Sequence, residues 1–159
     1  MLTRFTDLLS DDDVVLPLVA KDKWDAIEVL LRHIDAAGHV PAGQLGAYRE
    51  AVLARERSMS TGMERGIAIP HAAVDGLDRL VGAFGVVKSS TGLAFDAIDA
   101  QPTTMVVLLL VPRNQKLQHI STLADIARLL SREEVRDAIV ECAEPAGVWR
   151  VLASAENGD

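Results

Sequence analysis

At 159 residues the chain is long enough to bury a proper core in one domain, and its 49% hydrophobic and 25% charged residues are the proportions of a soluble globular protein. A formal net charge of -7 disfavours non-specific binding to nucleic acid or to an anionic membrane, and it steers basic partner surfaces toward this one. A lone cysteine, Cys142, excludes an internal disulfide; Met1 to Asp13 shows no signal-like pattern, and the longest apolar run, Met105 to Val111, is too short to cross a bilayer, so one cytoplasmic domain over 1–159 is expected.

In chain order, Leu2 to Leu9 suits a short element, and the acidic run Asp11 to Asp13 a solvated turn. Val14, Val15, Leu16 and Leu18 around Pro17 suit an edge strand or extended segment. Trp24, Ile27, Leu31 and Ile34 fall at helical spacing between Asp22 and the helix-ending Gly38. Pro41 is placed to open a second helix, with Leu45, Tyr48 and Val52 as its stripe. Arg55 continues that stripe toward the loop that follows.

The stretch from Ser60 to Ala72 organises the rest. A glycine-framed loop, Thr61 to Gly66, leads into the apolar Ile67-Ala68-Ile69, and Pro70 then stops the run just before His71. Proline has no donor for a sheet ladder and fixes its own φ, so His71 is expected at the end of a strand, not in its middle. Strand ends are where open α/β sheets handle ligands.

Downstream, Leu80 to Lys88 reads as a strand in which Gly82 and Gly85 permit close backbone approach, followed by a turn at Ser89 to Gly92 and a connecting segment from Leu93 to Ala100. Thr103 to Val111 is apolar on both faces, as a central strand between helices would be. Leu117 to Leu130 reads as a helix with the stripe Leu117, Ile120, Leu123, Ala127 and Leu130, and with His119 in its first turn. Ser131 and Glu134 have capping-box spacing for a helix carrying Val135, Ala138, Ile139 and Cys142. A last helix is expected over Ala146 to Ala153, with a frayed tail from about 155. Helices and strands interleave, so the fold class is α/β around one central sheet.

A neutral imidazole whose second nitrogen is held by a hydrogen bond is a competent nucleophile toward phosphorus. Phosphoryl transfer then needs little beyond in-line positioning and donors for three equatorial oxygens. Arg55 offers a planar fork for those oxygens, His119 lies where a helix dipole attracts anions, and Ser60, Thr61 and the amides around Gly62 are further donors. Taken singly, each has a blander reading: His71 as a loop residue, His119 as a capping or half-buried polar residue, Arg55 as a surface ion pair with Asp75 or with neighbours of Glu56. His33 and His39 read as solvated, Cys142 as core, and Arg57 and Arg65 equally as solvated or as facing an acidic partner. Four histidines without clustered spacing do not make a zinc site, so neither a metal nor a cofactor is expected.

Together, Arg55-Glu56, Ser60-Thr61-Gly62 and Gly66-Ile-Ala-Ile-Pro-His71 resemble the phosphorylation-site motif of phosphotransferase-system IIA proteins of the mannitol/fructose and nitrogen-regulatory type. The run from His119 to Leu130 is similar to that family's second-histidine helix, and the likeness extends from about Leu16 to Leu152. The resemblance implies a mixed, largely parallel sheet with helices on both faces. It implies that His71 accepts a phosphoryl group from an HPr-type carrier, with Arg55 and His119 stabilising it. It implies that the group passes to a IIB component for fructose or mannitol uptake, or serves as a regulatory mark. Because no IIB, membrane or HPr-like segment is attached, the nitrogen-regulatory branch is favoured. The alternative is a binding module that keeps the fold and has lost transfer. Glu64 and Met59 stand where the family often has glycine, and a carboxylate repels a phosphohistidine, so Glu64 is expected to point outward or to slow transfer.

Overall fold

Eight buried residues in succession, Met105–Pro112, form the strand β5 in the interior of the sheet. Side chains leave a strand alternately on its two faces. Val106, Leu108 and Leu110 therefore enter one hydrophobic core, while Met105, Val107, Leu109 and Val111 enter another. A strand buried on both faces requires cover on both.

The computed structural model describes residues 5–88, 92–95 and 97–158; most of the turn expected at Ser89 to Gly92 lies outside them, as do Leu2 to Arg4. The described elements are α1 (Phe5–Leu8), β1 (Val14–Val15), α2 (Lys23–Ala36), α3 (Leu45–Ser58), β2 (Ile67–Ala68), β3 (His71–Val74), β4 (Val81–Val86), β5, α4 (Ile120–Leu130), α5 (Glu133–Val140) and α6 (Pro145–Gly158). The sheet order is β1-β4-β5-β2, with β3 also on β5. β4 and β5 are antiparallel, and the other pairings are parallel. This is the mixed, largely parallel α/β sheet that the resemblance implied. Ile27, Leu30, Tyr48 and Val52 of α2 and α3 fill one core; Phe5, Ile126, Leu130, Ile139, Val148 and Leu152 of α1, α4, α5 and α6 fill the other.

Several local expectations change once packing is seen. On α2 the buried face is Lys23, Ala26, Ile27, Leu30, Leu31 and Ile34. Trp24 is more than a third exposed, because Lys23 turns inward to a carboxylate partner. Pro41 does not open α3; it lies in the preceding turn, where its carbonyl accepts from the Gln44 N–H, and the helix starts at Leu45. Leu117 and Ile120 are exposed, and α4 buries Thr122, Ile126, Leu129 and Leu130 instead. Ser131 does not cap α5, since its hydroxyl donates back to the Arg128 carbonyl. The acidic run is not wholly solvated either: Asp13 is buried and accepts from the Ser10 N–H, and His33 Nε2 lies 2.6 Å from the Asp12 carbonyl. Cys142 is half-buried at the margin of its core. The helix expected to end at Ala153 is helical through Gly158, with the Glu156 carboxylate accepting from the Phe5 and Thr6 amides.

β4 passes close to β5 because Gly82 has no side chain there. A Cβ at that position would sit 2.6 Å from the Leu108 carbonyl oxygen and 2.8 Å from Leu109 Cδ2. Gly82→Ala is expected to destabilise the protein by about 1–3 kcal/mol, read as a lower urea midpoint with an unchanged slope.

Candidate functional site

Pro70 divides one edge of the sheet into β2 and β3, both paired with β5. The sequence pattern ended the strand there. Instead, Pro70 keeps its carbonyl in the ladder by accepting from the Leu109 N–H at 3.0 Å, and His71 opens the second half opposite Leu109. The His71 ring is half-buried. Its Nδ1 lies 2.8 Å from the Ile69 carbonyl oxygen. A carbonyl only accepts, so Nδ1 carries the proton and the neutral ring keeps its lone pair on Nε2.

Burial pushes the His71 pKa below the ordinary histidine value. The Arg55 and Lys116 cations push the same way, against the Ile69 carbonyl and the Glu56 carboxylate. The ring is therefore neutral at pH 7.

His71 lines a cavity of about 590 Å³ together with Arg55, Met59, Ser60, Thr61 and Gly62. The rest of the lining is apolar: Met63, Ile69 and Ile98, with Leu123, Ala124 and Ala127 from α4. Tyr48 and Val52 do lead to the site along α3, but the next fully buried position is Glu56, not Arg55. Arg55 stands beside it, half-buried, with Nη1 donating to the Met59 carbonyl at 2.6 Å. Asp75 pairs with Arg113.

The loop residues line the cavity with their donors already engaged. The Thr61 N–H and hydroxyl donate to the Glu56 carboxylate. The Ser60 hydroxyl donates to the Phe95 carbonyl and accepts from the Gly62 N–H. A Cβ at Gly62 would meet the Phe95 carbonyl oxygen at 2.6 Å, so the close approach requires glycine. These residues shape the loop more than they offer free donors.

His119 ends a 3-10 turn, Leu117–His119, just before α4. It is buried and is not part of the cavity wall. Its Nε2 lies 3.2 Å from Gln115 Oε1, and its Nδ1 has no partner among the described residues. Burial lowers its pKa. Glu64 is exposed and also outside the wall. Among the described residues no group of three or more His, Cys, Asp or Glu converges as a metal site.

Sequence reasoning missed Lys116 and the apolar rim. Lys116 lies three residues before His119, and that proximity was the available signal. Ile98 (75% exposed) had none, since it belongs to no periodic segment, and Met59 (69% exposed) stood out only as a departure from glycine.

The family model described as the phosphoenolpyruvate-dependent sugar phosphotransferase system, EIIA 2, matches residues 7–155. The chain is 31% identical over 149 residues to the fructose-specific EIIABC component of Bacillus subtilis strain 168, covering 94% of this chain but only 23% of that protein. It is 36% identical over 131 residues to the fructose-specific EIIA component of Haloferax volcanii, covering 82% of each. Among solved structures, nitrogen regulatory protein IIA-Ntr from Neisseria meningitidis superposes with a TM-score of 0.81 at 26% identity, over 92% of this chain and 97% of that one.

His71 is expected to titrate below 6.5 in an NMR pH series, with the proton of the neutral ring on Nδ1. Arg55→Ala removes a nearby cation and should move the midpoint upward, whereas Arg57→Ala should not. Between the ordinary value and the lower folded one, the unfolded chain binds more protons. Through this ring, then, stability falls as pH drops through that window and is unaffected above it.

Proposed function

The chain belongs to the EIIA 2 family of the phosphoenolpyruvate-dependent sugar phosphotransferase system, and from that premise we propose that it is a phosphohistidine carrier with His71 as the acceptor. The observation that carries this is the ring's arrangement: Nδ1 tied to the Ile69 carbonyl, Nε2 left with its lone pair, and Arg55 on the same cavity wall.

In the proposed step, Nε2 attacks the phosphorus of an HPr-type phosphohistidine. The new N–P bond forms as the donor's N–P bond breaks, and the donor imidazole leaves with the electron pair. Nδ1–H stays on the Ile69 carbonyl, which favours the positive charge that appears on the ring. Arg55 faces the transferring oxygens, Lys116 adds positive potential, and His119, buried outside the cavity lining, acts on the group from the start of α4 without touching it in the free protein. Ser60, Thr61 and Gly62 support the phosphoryl site by holding the loop's shape. No cofactor enters the step, and its setting is the cytoplasm. Exposed Met59 and Ile98 beside the cavity suit a partner's apolar surface.

The group then passes to a IIB component, for fructose or mannitol uptake, or marks the protein for a regulatory target. Both uses draw on the same phosphorylated His71. Glu64, the residue that kept a binding module without transfer open as the alternative, is exposed and outside the cavity lining, and this supports the carrier.

Incubation with enzyme I, HPr and labelled phosphoenolpyruvate tests the proposal. Wild type should take up a label that is lost in acid and kept in base, and His71→Ala should take up none. Arg55→Ala and His119→Ala should fold normally and transfer about 100-fold more slowly. Wild type that stays unlabelled beside a competent donor overturns the carrier. Unchanged rates in both variants remove those side chains from the site.

A further inference from the structure

We propose that Glu56 and Lys23 are positioning residues for His71, acting through a chain of hydrogen bonds that ends on its Nδ1. Glu56 is 2% exposed and Lys23 8% exposed, and their charges meet at 3.3 Å between α3 and α2. A buried carboxylate is costly unless it is paired and hydrogen-bonded, and both oxygens of Glu56 are used. Oε1 accepts from the Thr61 hydroxyl, and Oε2 accepts from the Thr61 N–H at 3.0 Å and from Lys23 Nζ.

The chain of contacts continues without a gap. The Thr61 carbonyl accepts from the Ile69 N–H at 3.2 Å, and the Ile69 carbonyl accepts from Nδ1 of His71. The residue whose carbonyl selects the tautomer of His71 is thus held, two hydrogen bonds away, by a buried carboxylate.

Stability alone is a weak reason for such a pair, because apolar replacements of buried ion pairs are often neutral or better. What an apolar pair cannot do is accept the two donors of Thr61. Buried as it is, Glu56 cannot touch a docked donor protein or a phosphoryl group. Beyond the field its charge exerts on His71, which the glutamine and leucine variants below remove alike, its effect on transfer passes through the loop, where a small displacement of Nε2 from the line of attack is expensive.

The effect on transfer rests on the phosphocarrier reading; the effect on the ring does not. Two double variants of the full chain separate the roles. Lys23→Met with Glu56→Gln removes both charges and keeps an acceptor for Thr61. Lys23→Met with Glu56→Leu removes both charges and the acceptor.

Nitrogen-15 NMR of His71 should show the Nδ1–H tautomer in wild type and in the glutamine variant, and a mixture of tautomers in the leucine variant. With phosphorylated HPr as donor, the leucine variant should lose about tenfold or more in kcat with KM unchanged, while the glutamine variant recovers most of that loss. If the leucine variant does not fold, Thr61→Val, which withdraws the hydroxyl donor at similar volume, takes its place with the same expected signature. A folded leucine or valine variant with the wild-type tautomer and a kcat within about twofold of wild type overturns the proposal. Failure of wild type to accept phosphate would instead defeat the carrier reading, and the spectra would still decide the role of Glu56.

Discussion

Pro70 has no amide hydrogen, so the edge strand from Ile67 to Val74 is interrupted just before the His71 ring. The interruption is partial. The Pro70 carbonyl stays bonded to Leu109 of β5, which keeps both halves in one sheet, and the neighbouring Ile69 carbonyl is taken by Nδ1 of His71. One local feature therefore anchors the backbone, orients the imidazole and sets its tautomer. The loop before it, Arg55 of α3 and the apolar residues of α4 line one cavity with that ring.

The electrostatics follow a similar division. The molecule carries a net charge of -7, yet of the three charges that act on His71 two are cations, Arg55 and Lys116, against the one carboxylate of Glu56. A locally positive site on an acidic protein can hold an anionic group without making the whole surface attractive to polyanions. Arg55 and Glu56 are adjacent in sequence and opposite in charge, and they are separated by burial. The guanidinium faces the cavity, and the carboxylate is sealed against Lys23 and Thr61. Neutral His71 is what burial and those cations favour, and a neutral ring is the one with a lone pair to offer.

The two-core architecture explains why the site can be both open and firmly held. β5 gives alternate side chains to helices on either face, so the strand beneath His71 is fixed from both directions. The cavity lies between α4, which contributes Leu123, Ala124 and Ala127, and the segment from Arg55 to His71. Exposed Ile98 and Met59 mark its margin.

The pattern of residues was enough for the α/β class, the central strand, the break at Pro70 and the resemblance carried by Arg55, His71 and His119, because these depend on local chemistry and short-range periodicity. It put Arg55 on the stripe of Tyr48 and Val52, where the structure buries Glu56; Lys23, 33 positions earlier, decides this by supplying the counter-charge. Nor did it reveal that the donors of Ser60 and Thr61 are spent on Phe95 and Glu56. The length of the last helix was likewise hidden, as Glu156 finds its partners 150 and 151 residues away at Thr6 and Phe5. Sequence by itself determined which groups are present and which segments are extended or helical. Tertiary structure alone decided which polar groups remain free, because a donor or a charge is used up by whatever folding brings within hydrogen-bond reach.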